Sequence, residues 1–140
     1  MKNNFDLVKE VCNFLYDHGS KYSHWNPKEL WDYVDYYERT GAMGIIREQG
    51  KIVGVGMART INLLNFEEQS KNPWYFAPFG DVLYIQEICV SKTKAIPRLW
   101  DQMVERFGVK QFAAGKRHGK SRIWKFNKYQ EKVFKLESVG

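Results

Sequence analysis

Cysteine, histidine and proline are scarce in this 140-residue chain, at two, three and four copies. Cys12 and Cys89 lie far apart and match no metal-binding or redox spacing. His18, His24 and His118 are scattered and lack ligand spacing, so no metal site is expected. A reduced protein in the cytoplasm is the expectation from such cysteine usage. No apolar run approaches the ~20 residues that span a bilayer, so no membrane span is expected. The first ten residues carry Asp6 and Glu10 and no apolar core, so no secretory signal is visible. Repeats, low-complexity runs and linkers are absent too, which leaves one domain over residues 1–140. What is plentiful is apolar surface: 44% of residues, with 16% aromatic. That excludes a disordered chain and is enough for a core without disulfides or a structural metal.

One stretch lacks acid altogether. Residues 106–128 hold Arg106, Lys110, Lys116, Arg117, Lys120, Arg122, Lys125 and Lys128 and no Asp or Glu. The formal charge of +6 is therefore a strongly basic segment on a slightly acidic body. Such a segment attracts anions: nucleic acid, an acidic protein surface or cofactor phosphates.

Apolar periodicity places the elements. Leu7, Val8, Val11, Cys12 and Leu15 recur at helical spacing between Asn4 and Gly19. Asn26-Pro27-Lys28-Glu29 opens a second helix, whose stripe is Leu30, Tyr33, Val34 and Tyr37. Residues 43–48 and 51–61 are β-rich and flank Gln49-Gly50, which reads as an antiparallel hairpin. Residues 62–80 contain Pro73 and Pro78 and read as a long loop. Residues 82–90 are apolar on both alternating faces, the mark of a strand covered on both sides. Ile96, Leu99, Trp100, Met103, Val104 and Phe107 follow as a helix, then a strand over Val109 to Ala114, then a basic turn from Gly115 to Gly119. Residues 121–139 are ambiguous. The order ααββ, loop, βαβ, short tail implies an α/β fold with a mixed sheet.

Few groups offer chemistry. Residues 114–121 fit a permissive phosphate-loop pattern, with Lys120 to reach a terminal phosphate, but only 19 residues follow Ser121. The expected reading is a basic turn, solvated or touching phosphate without hydrolysing it. Glu87, beside Gln86, lies on the apolar strand, and a carboxylate in a covered strand suits a general base. Alternatively Glu87 emerges at a splay or pairs with an Arg such as Arg59. His24, next to Trp25, is the usual residue type for proton transfer, or simply an exposed loop residue. Cys12 reads as core, and Cys89 beside a carboxylate should ionise poorly.

Gly44 to Gly56 resembles the hairpin of the GNAT superfamily of acyl-CoA-dependent N-acyltransferases, with its "x-G-K-I-V-G" pattern. Leu83 to Val90 resembles that superfamily's strand before the cofactor helix, and Tyr129-Gln130-Glu131-Lys132-Val133-Phe134-Lys135 its late "Y-x-K-x-G-F" stretch. The resemblance covers residues 27–137 and implies a short helix over Ser121 to Lys132 and an edge strand over Val133 to Glu137. It departs at the pyrophosphate turn: Ser91 to Arg98 contains no glycine. The chain is also similar in outline to bacterial toxin-activating lysine acyltransferases, through His24-Trp25, Pro78-Phe79-Gly80 and Ile85-Gln86. They carry Asp where Gln86 stands. Since Gln is no base, Glu87 would substitute, on the opposite face of an alternating strand. Small phage-encoded GNAT-like proteins share the degenerate turn and a basic tail like Arg117 to Arg122; a phage-encoded chain would work in the host cytoplasm.

The resemblance implies transfer of an acyl group from acetyl-CoA or another acyl-CoA, or from an acyl carrier protein, to an amine. Glu87 or His24 would deprotonate the amine, and Tyr129 would protonate the thiolate. The N–H groups of Cys89 and Val90 would hold the thioester carbonyl, and Lys92, Lys94 and Arg98 the phosphates. The competing expectation is a non-enzymatic binding protein on the same scaffold. There Lys116, Arg117, Lys120 and Arg122 would grip nucleic acid or an acidic partner, and Phe107, Phe112, Trp124 and Phe126 would stack on bases or serve as core.

Overall fold

A computed structural model describes residues 4–117 and 119–135; His118 and Glu137, named above, lie outside the described residues. Helix α1 spans Asn4–His18 and a 3-10 turn follows over Ser20–His24. Helix α2 spans Pro27–Arg39, and its start is as expected: the Lys28 N–H donates to Asn26 Oδ1 at 2.8 Å and Pro27 occupies the first turn. Such a cap contributes about 1 kcal/mol. Strands β1 (Met43–Glu48) and β2 (Lys51–Ile61) form the antiparallel hairpin. Gln49 and Gly50 both take positive φ (51° and 81°), which matches the turn to the strand twist.

The expected loop over 62–80 is interrupted by α3 (Phe66–Lys71), one helical turn and a half whose Phe66 and Gln69 are buried. Strand β3 spans Val82–Val90 and α4 spans Ala95–Phe107. The next strand, β4, starts three residues later than its apolar run suggested, at Phe112, and continues to Arg117; Val109 is left exposed. The expected helix over 121–132 is displaced. Residues Lys120–Lys125 form β5, antiparallel to β4, and α5 runs over Phe126–Phe134, so Val133 lies in the last turn of a helix and begins no edge strand. With a strand after Ser121 in place of a helix, the phosphate-loop pattern has no helix N-terminus to cradle phosphates.

The sheet order is β1-β2-β3-β4-β5, antiparallel except for the β3–β4 pair. This is the mixed α/β sheet expected from the element order. Helices α1 and α2 and the 3-10 turn cover one face, over Val55, Met57 and Cys89. Helices α4 and α5 cover the other, over Leu83, Ile85 and Ala113. Gly56 lets α4 approach β2: a Cβ there would come within 2.5 Å of Met103 Cε. Phe126 is buried, Phe107 and Phe112 are half-buried, and all three pack with core clusters, so the aromatics of the basic segment serve mainly as core.

Candidate functional site

Strands β3 and β4 begin side by side and then part. Their ladder runs from Val82↔Phe112 to Ile85↔Gly115, yet β3 continues to Val90 and β4 to Arg117. A cleft of about 990 Å³ opens where they separate. That is the upper end of the size range of small-molecule sites.

The parting coincides with a β-bulge. Met57 pairs with Glu87 and Ala58 with Ile85, which leaves Gln86 as the extra residue of β3. The bulge resets the alternation. Gln86 accepts from Arg59 Nε at 3.0 Å, and Glu87 accepts from the Tyr22 hydroxyl. Tyr33, on α2, interacts through its hydroxyl with Gln86 and Tyr22 and lies near Glu87. Both side chains therefore face α1 and α2, and the expectation that Glu87 points to the side opposite Gln86 is corrected.

Glu87 is buried, at 8% exposure. Its Oε1 takes the Tyr22 hydroxyl and lies 2.5 Å from Lys21 Nζ. Arg59, one of the partners expected for it, is engaged elsewhere: besides Gln86, it donates to the carbonyls of Gln69, Ser70 and Tyr75. Burial, then Tyr33 and Glu87, push the Tyr22 hydroxyl far above its usual range, so it remains a donor to the carboxylate. Burial, reinforced by Glu87, pushes the Cys89 thiol up to about 11, and burial alone does the same to Cys12. Neither thiol is an activated nucleophile at neutral pH.

The backbone of β3 supplies donors at the gap. The Ser91 N–H donates to the Val53 carbonyl at 2.9 Å, which fixes the alternation of the ladder. Glu87 and Cys89 then turn their N–H groups to β2, while Ile88 and Val90 turn theirs to the open side. Of the expected pair Cys89 and Val90, only Val90 has an N–H directed away from β2, and Ile88 joins it. Ile88 lines the cleft; Cys89 and Val90 do not.

Tyr129 approaches from the opposite face of the sheet. Its ring packs on Trp100 at 5.2 Å between centroids, and its hydroxyl lies beside Gly115 on β4. The cleft thus passes through the sheet, with Glu87 on one face and Tyr129 on the other. Lys116, Arg122 and Lys132 line it, as do Lys21 and Lys71, and among the described residues Glu87 is the one acid in its wall. Lys132 covers the Trp124 ring at 4.3 Å.

The remaining expected residues lie elsewhere. His24 is exposed at the end of the 3-10 turn, outside the cleft wall; Lys21 and Tyr22 of the same turn reach Glu87 instead. Lys92 and Lys94 pair with Glu48 at 2.6 and 3.4 Å, and Arg98 is exposed on α4; none of the three lines the cleft. Lys120 is exposed outside it, and the Arg117 side chain lies outside what the structure describes. Among the described residues, no group of three or more His, Cys, Asp or Glu is placed to hold a metal, and no helix is long and apolar enough to cross a membrane.

No family model and no curated protein matches the chain. Among solved structures, an N-acetyltransferase from Staphylococcus aureus Mu50 is similar over 97% of this chain and 84% of its own, with a TM-score of 0.45 and 15% sequence identity.

Proposed function

We propose that the chain is an N-acyltransferase that moves an acyl group from an acyl thioester, acetyl-CoA or a longer acyl-CoA, to an amine. The observation that carries this reading is the parting of β3 from β4 beside a buried carboxylate. A thioester entering the gap meets free backbone N–H groups on one edge and acid–base side chains on both faces.

In this reading the Ile88 N–H, with Val90 beyond it, donates to the thioester carbonyl and stabilises the oxyanion that develops as the amine attacks. Glu87 takes the proton from the amine. Tyr22 holds the carboxylate in place from its buried position. Tyr129, on the far side of the gap, gives its proton to the departing thiolate. Lys116, Arg122 and Lys132 attract the anionic part of the donor, which is either the phosphates of CoA or the acidic surface of an acyl carrier protein. That role moves from Lys92 and Lys94, which share the Glu48 carboxylate and lie outside the cleft wall.

Isothermal titration with acetyl-CoA tests the reading. Binding tighter than millimolar is expected, with thiol release when an alkylamine is added. No binding of acetyl-CoA, of a longer acyl-CoA or of an acylated carrier protein would overturn it.

A further inference from the structure

We propose that Lys21 is a self-acylation site, the chain's own acceptor amine; this rests on the acyl-transfer reading of the cleft. Among the described ion pairs, Lys21–Glu87 is the one whose carboxylate is buried, at 7% side-chain exposure. Lysines 71, 92, 94 and 128 pair with carboxylates that are 27–85% exposed. The ammonium is held at 2.5 Å from Glu87 Oε1 while the Lys21 side chain is 58% exposed and lines the cleft. Its position is fixed by its neighbour: Tyr22 is fully buried, and its N–H donates to the Gly19 carbonyl at 3.0 Å. A primary amine is therefore built into the place where the base needs one, next to the gap that would receive the thioester. Holding reacting groups in this way replaces a bimolecular encounter with a positioned one.

The step balances without a further reagent. One proton of the Lys21 ammonium passes to Glu87, and the free Nζ attacks the thioester carbon. The N–C bond forms, the C–S bond breaks, the thiolate takes its proton from Tyr129, and the nitrogen sheds its second proton to restore the Tyr129 hydroxyl through solvent. Glu87 returns its proton to solvent. The product is an amide on Lys21, which has lost its positive charge and keeps the acceptor position occupied.

Incubating the full chain with acetyl-CoA and mapping peptides by mass spectrometry tests this. Lys51, exposed on β2 and outside the cleft, reports background chemistry. One acetyl group on Lys21, gained about a hundredfold faster than on Lys51, is expected, with the advantage lost in Glu87→Gln. The Lys21-to-Lys51 ratio needs no variant, so poor folding of Glu87→Gln leaves the test intact. Equal rates at the two lysines overturn the proposal. So does an unmodified Lys21 in a chain that acylates an added alkylamine, a result that leaves the acyl-transfer reading standing. If titration finds no acyl-CoA or acylated-carrier binding, that reading fails first and self-acylation from a thioester fails with it. Labelling with N-hydroxysuccinimidyl acetate, which needs no binding site, then judges the lysine–carboxylate geometry alone.

Discussion

Gln86 and Glu87 are neighbours in the chain and yet turn to the same face of β3, because the bulge opposite Met57 and Ala58 adds one residue to the strand. Their partners differ. Gln86 faces the Arg59 guanidinium and Glu87 faces Lys21 and Tyr22. Removing the carboxylate with Glu87→Gln should lower kcat for acyl transfer to an amine about a hundredfold and leave acyl-CoA affinity nearly unchanged. The swapped variant Gln86→Glu/Glu87→Gln should not recover the rate. A carboxylate at position 86 would sit 3.0 Å from Arg59 Nε and be held there as an ion pair. Thiol release measured for the three proteins decides it: full activity in the swapped variant would mean that position 87 has no special role.

The cationic wall of the cleft separates two ways of holding an anionic donor. Changing Lys116, Arg122 and Lys132 together to Glu should weaken acetyl-CoA binding at least ~10-fold, with an effect that shrinks as salt rises. Changing Lys92 and Lys94 to Glu should do much less, since both already face Glu48. Calorimetry on the two variants at low and high salt gives the answer. A larger loss from the Lys92 and Lys94 changes would return the phosphate site to the turn before α4.

Much of this arrangement was legible in the sequence, and the parts that were not have physical causes. Strand β3 was readable to the residue because Val82 to Val90 is covered on both faces, and the β1–β2 hairpin because Gln49-Gly50 suits its turn. Glu87 and Tyr129 stood out and do line one cleft. The facing of Glu87 was misread because a bulge is set by pairing with β2 and leaves no mark in the alternation of β3 itself. Lys21 carried no signal at all: it is a lysine in a polar turn, and only the burial of Tyr22 beside it brings its amine to Glu87. Helix α3 escaped because six residues are too few for a periodic stripe. Tertiary bonds from Arg59 hold its last turn.

Alkaline pH should destabilise the protein. Tyr22, Tyr33 and Tyr37 are buried, and burial is the first cause that raises each hydroxyl above the ordinary tyrosine value of 10.0. The folded state therefore holds these protons more tightly than the unfolded chain. The tyrosine contribution is fully present below pH 10.0 and is lost as pH rises past it, by about 1.4 kcal/mol per pH unit for each group. The thiols of Cys12 and Cys89 add an earlier decline, beginning at the ordinary thiol value of 9.0 and ending near 11. Urea midpoints taken across this range should drop with increasing slope. Flat midpoints from pH 9.0 through 11 would contradict the burial of these groups.

Gly80 is the glycine whose replacement should cost most. A Cβ there would lie 2.4 Å from the Ile61 carbonyl oxygen and 2.7 Å from its carbon, and backbone atoms cannot swing aside. The same corner is fixed by the Ala77 N–H donating to the Thr60 carbonyl at 2.8 Å and the Gly80 N–H donating to the Ala77 carbonyl at 3.0 Å. Gly80→Ala should destabilise by about 3 kcal/mol. Gly56→Ala, where the nearest obstacle is the far end of the unbranched Met103 side chain, should cost visibly less. Denaturant melts of both variants rank them, and the reverse order would refute the argument.

Arg59 ties the segment between β2 and β3 to the sheet. It is 2% exposed and joins none of the ion pairs among the described residues: its neighbours include the carbonyls of Gln69, Ser70 and Tyr75, the Gln86 amide oxygen and the Tyr84 ring at 4.8 Å. The planar fork of a guanidinium reaches these directions at once, and a lysine ammonium is a single point with three donors. Arg59→Lys should therefore leave carbonyls of α3 and of Tyr75 without donors and cost about 3 kcal/mol. The loss should be local before it is global. Trp74, Tyr75 and Phe76 are already partly exposed, at 47%, 37% and 41%. Chymotrypsin should therefore cut the variant there much faster than the parent, before any change in the circular dichroism of the sheet. Equal cutting rates would show that the segment is held by something other than Arg59.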